Sequence, residues 1–241
     1  MSLPTLPLLA SQTEEMALIK QHIRQSTTTS PVHILEAGCG SWCHLDLQDI
    51  PHHLTGIDLD AEAMAIRKQK YNDIHECIVG DLETVSAPAA SYDVVYNSYV
   101  LEHIRQADKV LENFLHWLKP GGIIVIRVPD AKSVHGFITR VTPHWFHVLY
   151  YRYALGQANA GKPGYAPYPT HYHPAISREG MREFCRNHNA ELLVEMGEKY
   201  YQPGKGLAKP LIRFVKKAVN LLSLGALSAE HTNLLYIIRK P

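Results

Sequence analysis

The chain has 241 residues, 46% of them hydrophobic, which is enough to bury one sizeable core in one domain or at most two small ones. Its 24 Lys and Arg nearly balance its 23 Asp and Glu, so it lacks the basic excess that nucleic-acid binding usually requires. No apolar run approaches transmembrane length, and the opening segment has no Lys or Arg before Lys20, unlike a secretion signal. The four cysteines form no CxxC pair, and we expect reduced thiols in a cytoplasmic protein.

Helical and strand periods alternate along the chain. Ser11 and Glu14 have the spacing of a capping box and predict a helix that ends before STTTSP. Five strands are then predicted, in the order VHILE, HLTGID, IHECIVGD, YDVVYN and IIVIRV. Two helices lie among them, AEAMAIRKQKY with Asp60 as its N-cap and ADKVLENFLHWL, which stops at KPGG. A helix over SREGMREFCRNH and the strands AELLVEM and TNLLYIIRKP complete the series.

This alternation predicts a doubly wound α/β fold, in which helices cover both faces of a mostly parallel sheet. Ligands of such sheets bind at the carboxyl ends of the strands. Acidic residues follow the first three predicted strands, at Glu36, Asp58 and Asp81. Three carboxylates facing one crevice would repel each other unless a ligand offered hydroxyls, amines or a cation, so the pattern suits a nucleoside with a cationic tail.

The Gly38-Cys39-Gly40 turn and Asp58 are compatible with two nucleotide cofactors. Glycine lets the backbone approach a ligand closely, and a carboxylate after the second strand can accept hydrogen bonds from a ribose. The dinucleotide pattern G-x-G-x-x-G would require a glycine at Cys43. S-adenosylmethionine (SAM) has no phosphate, so its binding depends less on a glycine at position 43. We therefore favour SAM. A nicotinamide-dependent oxidoreductase and a non-catalytic interaction module remain the alternatives.

Five motifs at matching spacing resemble class I SAM-dependent methyltransferases, within the small-molecule, type 11-like group that carries the "LEH" signature. They are ILEAGCGSW, LTGIDLD, CIVGDLE, YDVVYNSYVLEHI and LKPGGIIVIRVP. The resemblance implies a Rossmann-like, seven-stranded sheet whose last strand is antiparallel, with SAM as cofactor and S-adenosylhomocysteine as product. It implies a single domain, with an N-terminal helix in residues 1–30, a cofactor-binding core in 31–130, a lid-like insertion in 131–176 and the remaining strands in 177–241.

The resemblance also assigns residues to the adenosine part of the cofactor. Asp58 would hold the ribose diol, and Leu59 would pack beside the adenine. Asp81 would bind the adenine amino group, while the Leu82 amide would face a ring nitrogen.

The methionine part would be shaped by Glu36, Gly38 and Gly40, and Asn97 would offer its backbone carbonyl to the ammonium group. Trp42 stands where the family usually has a small residue. Its indole either packs against the neighbouring helix or lines the pocket near the sulfonium, where an aromatic face favours positive charge.

Methyl transfer from a sulfonium is an in-line displacement, so positioning is the main contribution expected of the protein. A general base is needed only if the acceptor must lose a proton. His103 in VLEHI is the candidate, because it follows the fourth predicted strand. The alternative is a helical histidine bonded to the backbone.

The insertion is rich in tyrosine and histidine, which favours a lid or binding loop for a small aromatic or apolar acceptor, against a packing flap or dimer contact. The residues proposed to line the acceptor pocket are Trp42, Tyr99, His147, Tyr151, His171 and His173. His171-x-His173 could contact a metal, and the Glu102-His103 pair is the other possible contact, but neither has a further ligand at a usual spacing, so no metal site is predicted.

The segment AKPLIRFVKKAVNLLSL predicts a basic amphipathic helix near residues 208–222. Two interpretations remain open for it. The helix either makes a peripheral contact with an anionic membrane or covers the sheet as an ordinary surface helix.

Overall fold

All strands belong to one sheet in the computed structural model, which describes residues 4–27, 30–43, 45–154, 156–162, 167–200 and 208–241. The strands are β1 (Leu8–Leu9), β2 (Val32–Ala37), β3 (His52–Asp58), β4 (Glu76–Val79), β5 (Tyr92–Ser98), β6 (Leu118–Pro129), β7 (Glu191–Glu198) and β8 (Asn233–Arg239). Their order is β1-β7-β8-β6-β5-β2-β3-β4, and β8 is antiparallel to both neighbours. The seven predicted strands and the antiparallel last strand are confirmed. The additional β1 has two residues, too few to give a periodic signal.

Helices cover both faces of this sheet, as predicted. They are α1 (Gln12–Ser26), α2 (Ala61–Tyr71), α3 (Ala107–Trp117), α4 (Val134–Val141), α5 (His144–Leu149), α6 (Arg178–Asn187) and α7 (Ala208–Leu222). One core layer contains Ile19 of α1 and Met64 of α2, and the other contains Phe114 of α3 and Met181 of α6. The two layers therefore bury opposite faces of the strands.

Local capping sets where the first two helices begin. Ser11 Oγ accepts a hydrogen bond from Glu14 N at 3.1 Å, and Asp60 Oδ1 accepts from Glu62 N and Ala63 N at 3.0 and 2.9 Å. These bonds satisfy backbone donors that the first helical turn leaves without partners. Both predicted caps are confirmed.

The predicted boundary of the fifth strand is wrong. The helix α3 ends at Trp117, before KPGG, as predicted, but β6 begins at Leu118 and includes KPGG, whereas the predicted strand was IIVIRV. Its pairing register with β5 shifts between Tyr92 and Val94. The extra residues are therefore accommodated as an irregularity within the strand.

The insertion after β6 is more helical than its composition indicated. It contains α4, α5 and a π-helical turn at Tyr150–Ala154 before the irregular 167–173 segment. These elements are too short to give a clear helical period in the sequence. Residues 163–166, which include Tyr165 of the predicted lid, lie outside the described residues.

The helix α7 has the predicted bounds but not the packing of a sheet-covering helix. Its large apolar side chains Phe214 and Leu222 are 70% and 83% exposed. Its principal packing partner is α4 rather than a strand. None of the helices in the described part of the chain is both long enough and apolar enough to cross a bilayer.

Candidate cofactor and active site

The turn after β2 is closely packed on one side and open on the other. Gly38 and Gly40 have φ angles of +77° and +49°, in the left-handed region that L side chains rarely adopt. A Cβ on Gly38 would lie 2.3 Å from Val100 Cγ2, so a side chain from the loop after β5 fills that space. A Cβ on Gly40 would meet no atom within 4 Å. The turn thus leaves room for a ligand beside Gly40.

Asp58 ends β3 with its carboxylate turned toward this glycine turn. Its Oδ2 accepts from Gly40 N at 2.7 Å, and its Oδ1 accepts from Asp60 N at 2.9 Å. A carboxylate has about four acceptor positions, so each oxygen keeps capacity for another donor. The backbone orients the group while leaving it able to accept hydroxyl hydrogen bonds.

Glu36 departs from the expectation of three carboxylates open to one crevice. It is buried in β2, where Arg67 Nη2 of α2 lies 2.8 Å from Glu36 Oε2. The same guanidinium donates to Cys39 O at 2.8 Å and binds the Asp73 carboxylate. Burial raises the pKa of Glu36 to about 7, although Arg67 opposes this shift. Glu36 therefore acts on the turn through Arg67, which holds the Cys39 carbonyl.

Asp81 lies beside Asp58 at the carboxyl edge of the sheet. Gly80 N donates to Asp58 O at 2.9 Å, which joins the end of β4 to that of β3. Asp81 Oδ1 accepts from Glu83 N at 2.8 Å, and the following Leu82 is buried. The structure brings Asp58, Asp81 and Leu82 to one place.

Asn97 is fully buried in β5, directly beside the end of β2. Its Nδ2 donates to Ala37 O at 2.9 Å. Among the described residues, its Oδ1 has no hydrogen-bond partner. Leaving a buried acceptor unpaired is costly, which makes this oxygen a candidate acceptor for a bound donor.

Two large apolar side chains remain exposed in the loops that follow β2 and β3. Trp42 is 53% exposed and Leu59 is 69% exposed. Burial of the Trp42 indole against a helix, one of its two interpretations, is therefore not observed. Both side chains lie close in sequence to groups that line the crevice, Gly40 and Asp58.

His103 lies in a short 3-10 turn after β5, where its ring contacts the inserted arm, residues 167–173. Its Nδ1 is 2.7 Å from Pro169 O. A carbonyl oxygen can only accept, so Nδ1 carries the proton and the neutral ring presents a lone pair at Nε2. Burial lowers the pKa of His103, with a further contribution from His171. The imidazole is therefore a neutral base with a defined tautomer at neutral pH.

The inserted arm reaches from His103 to the Asp58 loop. The rings of Tyr168 and His103 meet edge to face, with centroids 5.8 Å apart. The pKa of Tyr168 is raised by burial and also by the charges of Asp60 and Asp58, so its phenol lies within their electrostatic range. The arm thus passes over the carboxyl ends of β3 and β5.

Glu102 is a buried carboxyl group beneath the arm. His171 N donates to its backbone oxygen at 2.7 Å. Burial raises the pKa of Glu102 to about 8, and Oε2 has no hydrogen-bond partner in the described parts of the chain. The charge of Glu102 also contributes to the raised pKa of Tyr172. The sequence singled out Glu102 only as a neighbour of His103, because the motif gives no sign of its burial.

Tyr99 belongs to a buried polar network on the far side of β5. Its hydroxyl donates to Glu198 Oε2 at 3.0 Å and accepts from Asn233 Nδ2 at 2.9 Å. Arg127 also stacks on the ring, and its Nε lies 2.6 Å from Glu15 Oε1. The network joins α1 to three strands and engages the Tyr99 hydroxyl, and the placement of Tyr99 beside an acceptor stays a prediction.

The remaining predicted pocket residues separate into two groups. His147 Nε2 lies 2.9 Å from Thr142 Oγ1 and joins α4 to α5, while His173 Nδ1 accepts from Ala175 N at 3.2 Å. Those two imidazoles stabilise local turns. His171 influences the pKa of His103, and Tyr151 influences that of Tyr172, so both lie nearer the arm.

Two surface depressions in the described part of the chain lie away from this crevice. The two surface depressions found are lined by residues that include Leu192 and Val32, near the starts of β7 and β2, and thus lie at the opposite edge of the sheet. Within the described ranges, no group of three or more His, Cys, Asp or Glu side chains is arranged to hold a metal ion.

Comparison with known proteins agrees with this geometry. Residues 35–126 match the model of a methyltransferase domain. A probable S-adenosylmethionine-dependent methyltransferase of Mycolicibacterium smegmatis is 32% identical over 98 residues, which cover 40% of this chain and 38% of that protein. The sterol 4-C-methyltransferase strm-1 of Caenorhabditis elegans is 30% identical over 150 residues, covering 59% and 44%. The chain spans less than half the length of these curated relatives.

Solved structures with a similar fold include the plantazolicin methyltransferase BpumL in complex with SAH. It superposes with a TM-score of 0.58 at 16% identity, over 95% of this chain and 84% of that one. The fold is therefore that of the Rossmann-like methyltransferases. With the motifs, the match of residues 35–126 to a methyltransferase domain and the similarity to SAM-dependent methyltransferases support a class I SAM-dependent methyltransferase, a family whose cofactor is SAM.

Proposed function

We propose that this protein transfers a methyl group from SAM to a small aromatic or apolar acceptor. The observation that carries the proposal is the Asp58 carboxylate, fixed by Gly40 N and Asp60 N at the carboxyl end of β3 with acceptor capacity to spare. Asp81 at the end of β4 and the unpaired Asn97 Oδ1 add acceptors at the same edge. A nucleoside with an amino-acid tail offers matching hydroxyl, amino and ammonium donors.

In this proposal the residues of the chain position the reactants. Asp58 accepts hydrogen bonds from the ribose hydroxyls, and Asp81 accepts one from the adenine amino group. Asn97 receives the methionine ammonium, through its unpaired side-chain oxygen in addition to the expected backbone carbonyl. Leu59 covers the adenine and Trp42 the region near the sulfonium. Bound SAM supplies the activated methyl group, so alignment is the chief requirement of the protein.

His103 is the proposed general base for an acceptor that must lose a proton. Its Nε2 lone pair is fixed by the Nδ1–H···O bond to Pro169, and its lowered pKa keeps the ring neutral. The inserted arm beside it provides Tyr168 and Tyr172 as aromatic walls. The sterol named for the Caenorhabditis elegans relative supports an apolar acceptor class.

Calorimetric titration with SAM and SAH tests the cofactor assignment. Asp58→Ala should weaken binding by about 2 kcal/mol, or roughly thirtyfold, because charge-assisted hydrogen bonds are lost. Asp60→Ala is the matched control, since it removes a neighbouring carboxylate that caps α2. Equal affinity of Asp58→Ala and the unmodified protein would exclude Asp58 as the ribose ligand.

Turnover of a panel of small acceptors with methyl-labelled SAM tests the reaction and the base. His103→Ala should lower kcat by 10²-fold or more for acceptors that lose a proton, with unchanged SAM affinity. His171→Ala controls for disturbance of the arm. Tight SAM binding without turnover of any acceptor would favour a non-catalytic module, and an active His103→Ala variant would remove His103 from the mechanism.

A further inference from the structure

The near-zero net charge conceals a strong separation of charge along the chain. Residues 131–178 and 199–229 together contain eleven Lys and Arg and no Asp or Glu. The rest of the chain carries 13 Lys and Arg against all 23 Asp and Glu. The first segment contains α4 and α5, and the second contains α7, so the positive charge belongs to the two segments inserted between strands.

The same two segments expose large apolar side chains. On α5 and the turn that follows it, Trp145 is 62% exposed, and Phe146, Leu149 and Tyr153 are also exposed. On and after α7, the exposed residues are Phe214, Val215, Leu221, Leu222 and Leu224. Isolated exposed apolar residues are ordinary, but a concentration of them in acid-free segments indicates a binding surface.

Contacts at their bases join the two segments into one unit. Val134 N donates to Ser228 O at 2.8 Å, and Ser228 N donates to Lys132 O at 2.9 Å. Near this bridge, His231 Nε2 lies 2.7 Å from Asp130 Oδ2 in a buried pair. The surface is therefore anchored to the ends of β6 and β8.

The helices themselves also pack together. Helix α7 contacts α4. Burial lowers the pKa of His135 on α4, and the charge of Lys216 on α7 lowers it further, so Lys216 lies within electrostatic range of His135. The exposed apolar residues of α7 therefore lie on a helix that packs against the insertion, which carries the exposed apolar residues of α5.

We propose that α4, α5, the π-helical turn and α7, hereafter the basic apolar surface, dock this protein on an anionic phospholipid bilayer. Aliphatic tips such as Leu222 would enter the acyl boundary, Trp145 and Tyr153 would lie at the headgroup level, and the Lys and Arg residues would attract acidic headgroups. A second copy of the chain is a poorer occupant, because it would bring two positive surfaces together. The surface requires neither bound cofactor nor methyl transfer.

Co-sedimentation of the full chain with vesicles, without SAM, tests the proposal. We expect binding to phosphatidylglycerol-containing vesicles, at least tenfold weaker binding to pure phosphatidylcholine, and weakening by 0.5 M NaCl. Lys217→Glu and Arg140→Glu, one on each joined element, should each reduce partitioning by roughly tenfold or more. The matched control is the double variant Lys68→Glu with Lys70→Glu. It reverses the charge of two exposed lysines on α2, next to β3 and outside the basic apolar surface.

Tryptophan fluorescence tests which apolar residues contact the bilayer. Quenching by brominated acyl chains should decrease in Trp145→Phe and persist in Trp42→Phe, because Trp145 belongs to the basic apolar surface. The proposal is overturned by absence of vesicle binding, by equal binding to neutral vesicles, or by a dimer whose formation is abolished by Lys217→Glu. Loss of binding for Lys217→Glu but not for Arg140→Glu would refute the proposal that the two segments form one docking surface. A separate titration with SAM distinguishes failure of the docking proposal from failure of the proposed methyltransferase activity.

Discussion

Replacement of Arg67 by methionine should destabilise the protein strongly, because it leaves a buried carboxylate without its cation. The Arg67 side chain is fully buried, with Nη2 2.8 Å from both Glu36 Oε2 and Asp73 Oδ2. Breaking a buried pair by removing one partner typically costs about 3–5 kcal/mol. Methionine keeps much of the apolar volume, so the loss reports mainly on charge. Glu36, being buried, should account for more of it than the partly exposed Asp73.

Urea unfolding of four proteins measures this coupling: the unmodified chain, Arg67→Met, Glu36→Gln and the double variant. The double variant should recover a large part of the stability lost by Arg67→Met, since a neutral amide needs no cation. The loss in Arg67→Met should also be larger at pH 8 than at pH 6. Burial raises the pKa of Glu36, and without Arg67 nothing opposes that rise. At pH 6 the carboxyl group stays neutral in both proteins, whereas at pH 8 its unpaired charge, or the work of keeping it protonated, destabilises only the variant.

Lys68→Met, an exposed change on the same helix, controls for the loss of a positive charge. The reasoning is refuted if Arg67→Met unfolds at the same urea concentration as the unmodified chain. It is also refuted if Glu36→Gln adds to the loss instead of restoring stability. Because Arg67 also holds the Cys39 carbonyl at 2.8 Å, SAM affinity should fall in Arg67→Met even where the protein remains folded.

Three further predictions concern the same edge of the sheet. Gly38→Ala should lower the free energy of unfolding in urea by about 2–4 kcal/mol, because Gly38 has a left-handed φ and the new Cβ would overlap Val100. Adding Val100→Ala should restore only the part of this loss that comes from the overlap. For Glu102, the folded-state pKa of about 8 lies above the ordinary value of 4.5, so its contribution to stability falls as the pH rises between those values, by up to about 1.4 kcal/mol per pH unit. Glu102→Gln should flatten the pH dependence of unfolding, and identical slopes would contradict the assignment. Asp130→Ala should lose about 1–3 kcal/mol by leaving Nε2 of buried His231 without its partner, whereas Asp130→Asn should lose less in thermal melts.

The parts of the fold that depend on local interactions could be predicted from the sequence. Ser11 and Asp60 cap helices through bonds to residues two or three positions ahead, so their spacing was sufficient. Strand periods likewise identified seven of eight strands. The acidic ends of β3 and β4 were found because topology brings the carboxyl ends of parallel strands together.

Interactions between distant segments could not be predicted. Glu36 and Arg67 are far apart in sequence, and Arg67 stands in the basic run RKQK with no sign that it alone is buried. Tyr99 follows a motif strand, yet its partners Glu198 and Asn233 come from strands near the end of the chain. A residue at the correct strand end can therefore turn its side chain toward a network instead of the crevice.

The two electrostatic features of this chain are consistent with one another. Asp58 and Asp81 at the crevice favour a ligand with hydroxyl and cationic donors, whereas the acid-free inserted segments favour an anionic surface. The crevice carboxylates are held by backbone hydrogen bonds, whereas the exposed charges of the inserted segments are open to screening by salt. Their salt responses should differ for the same reason. Vesicle docking depends on many exposed charges and should weaken steeply with salt, while cofactor binding by a few oriented, part-buried hydrogen bonds should change little.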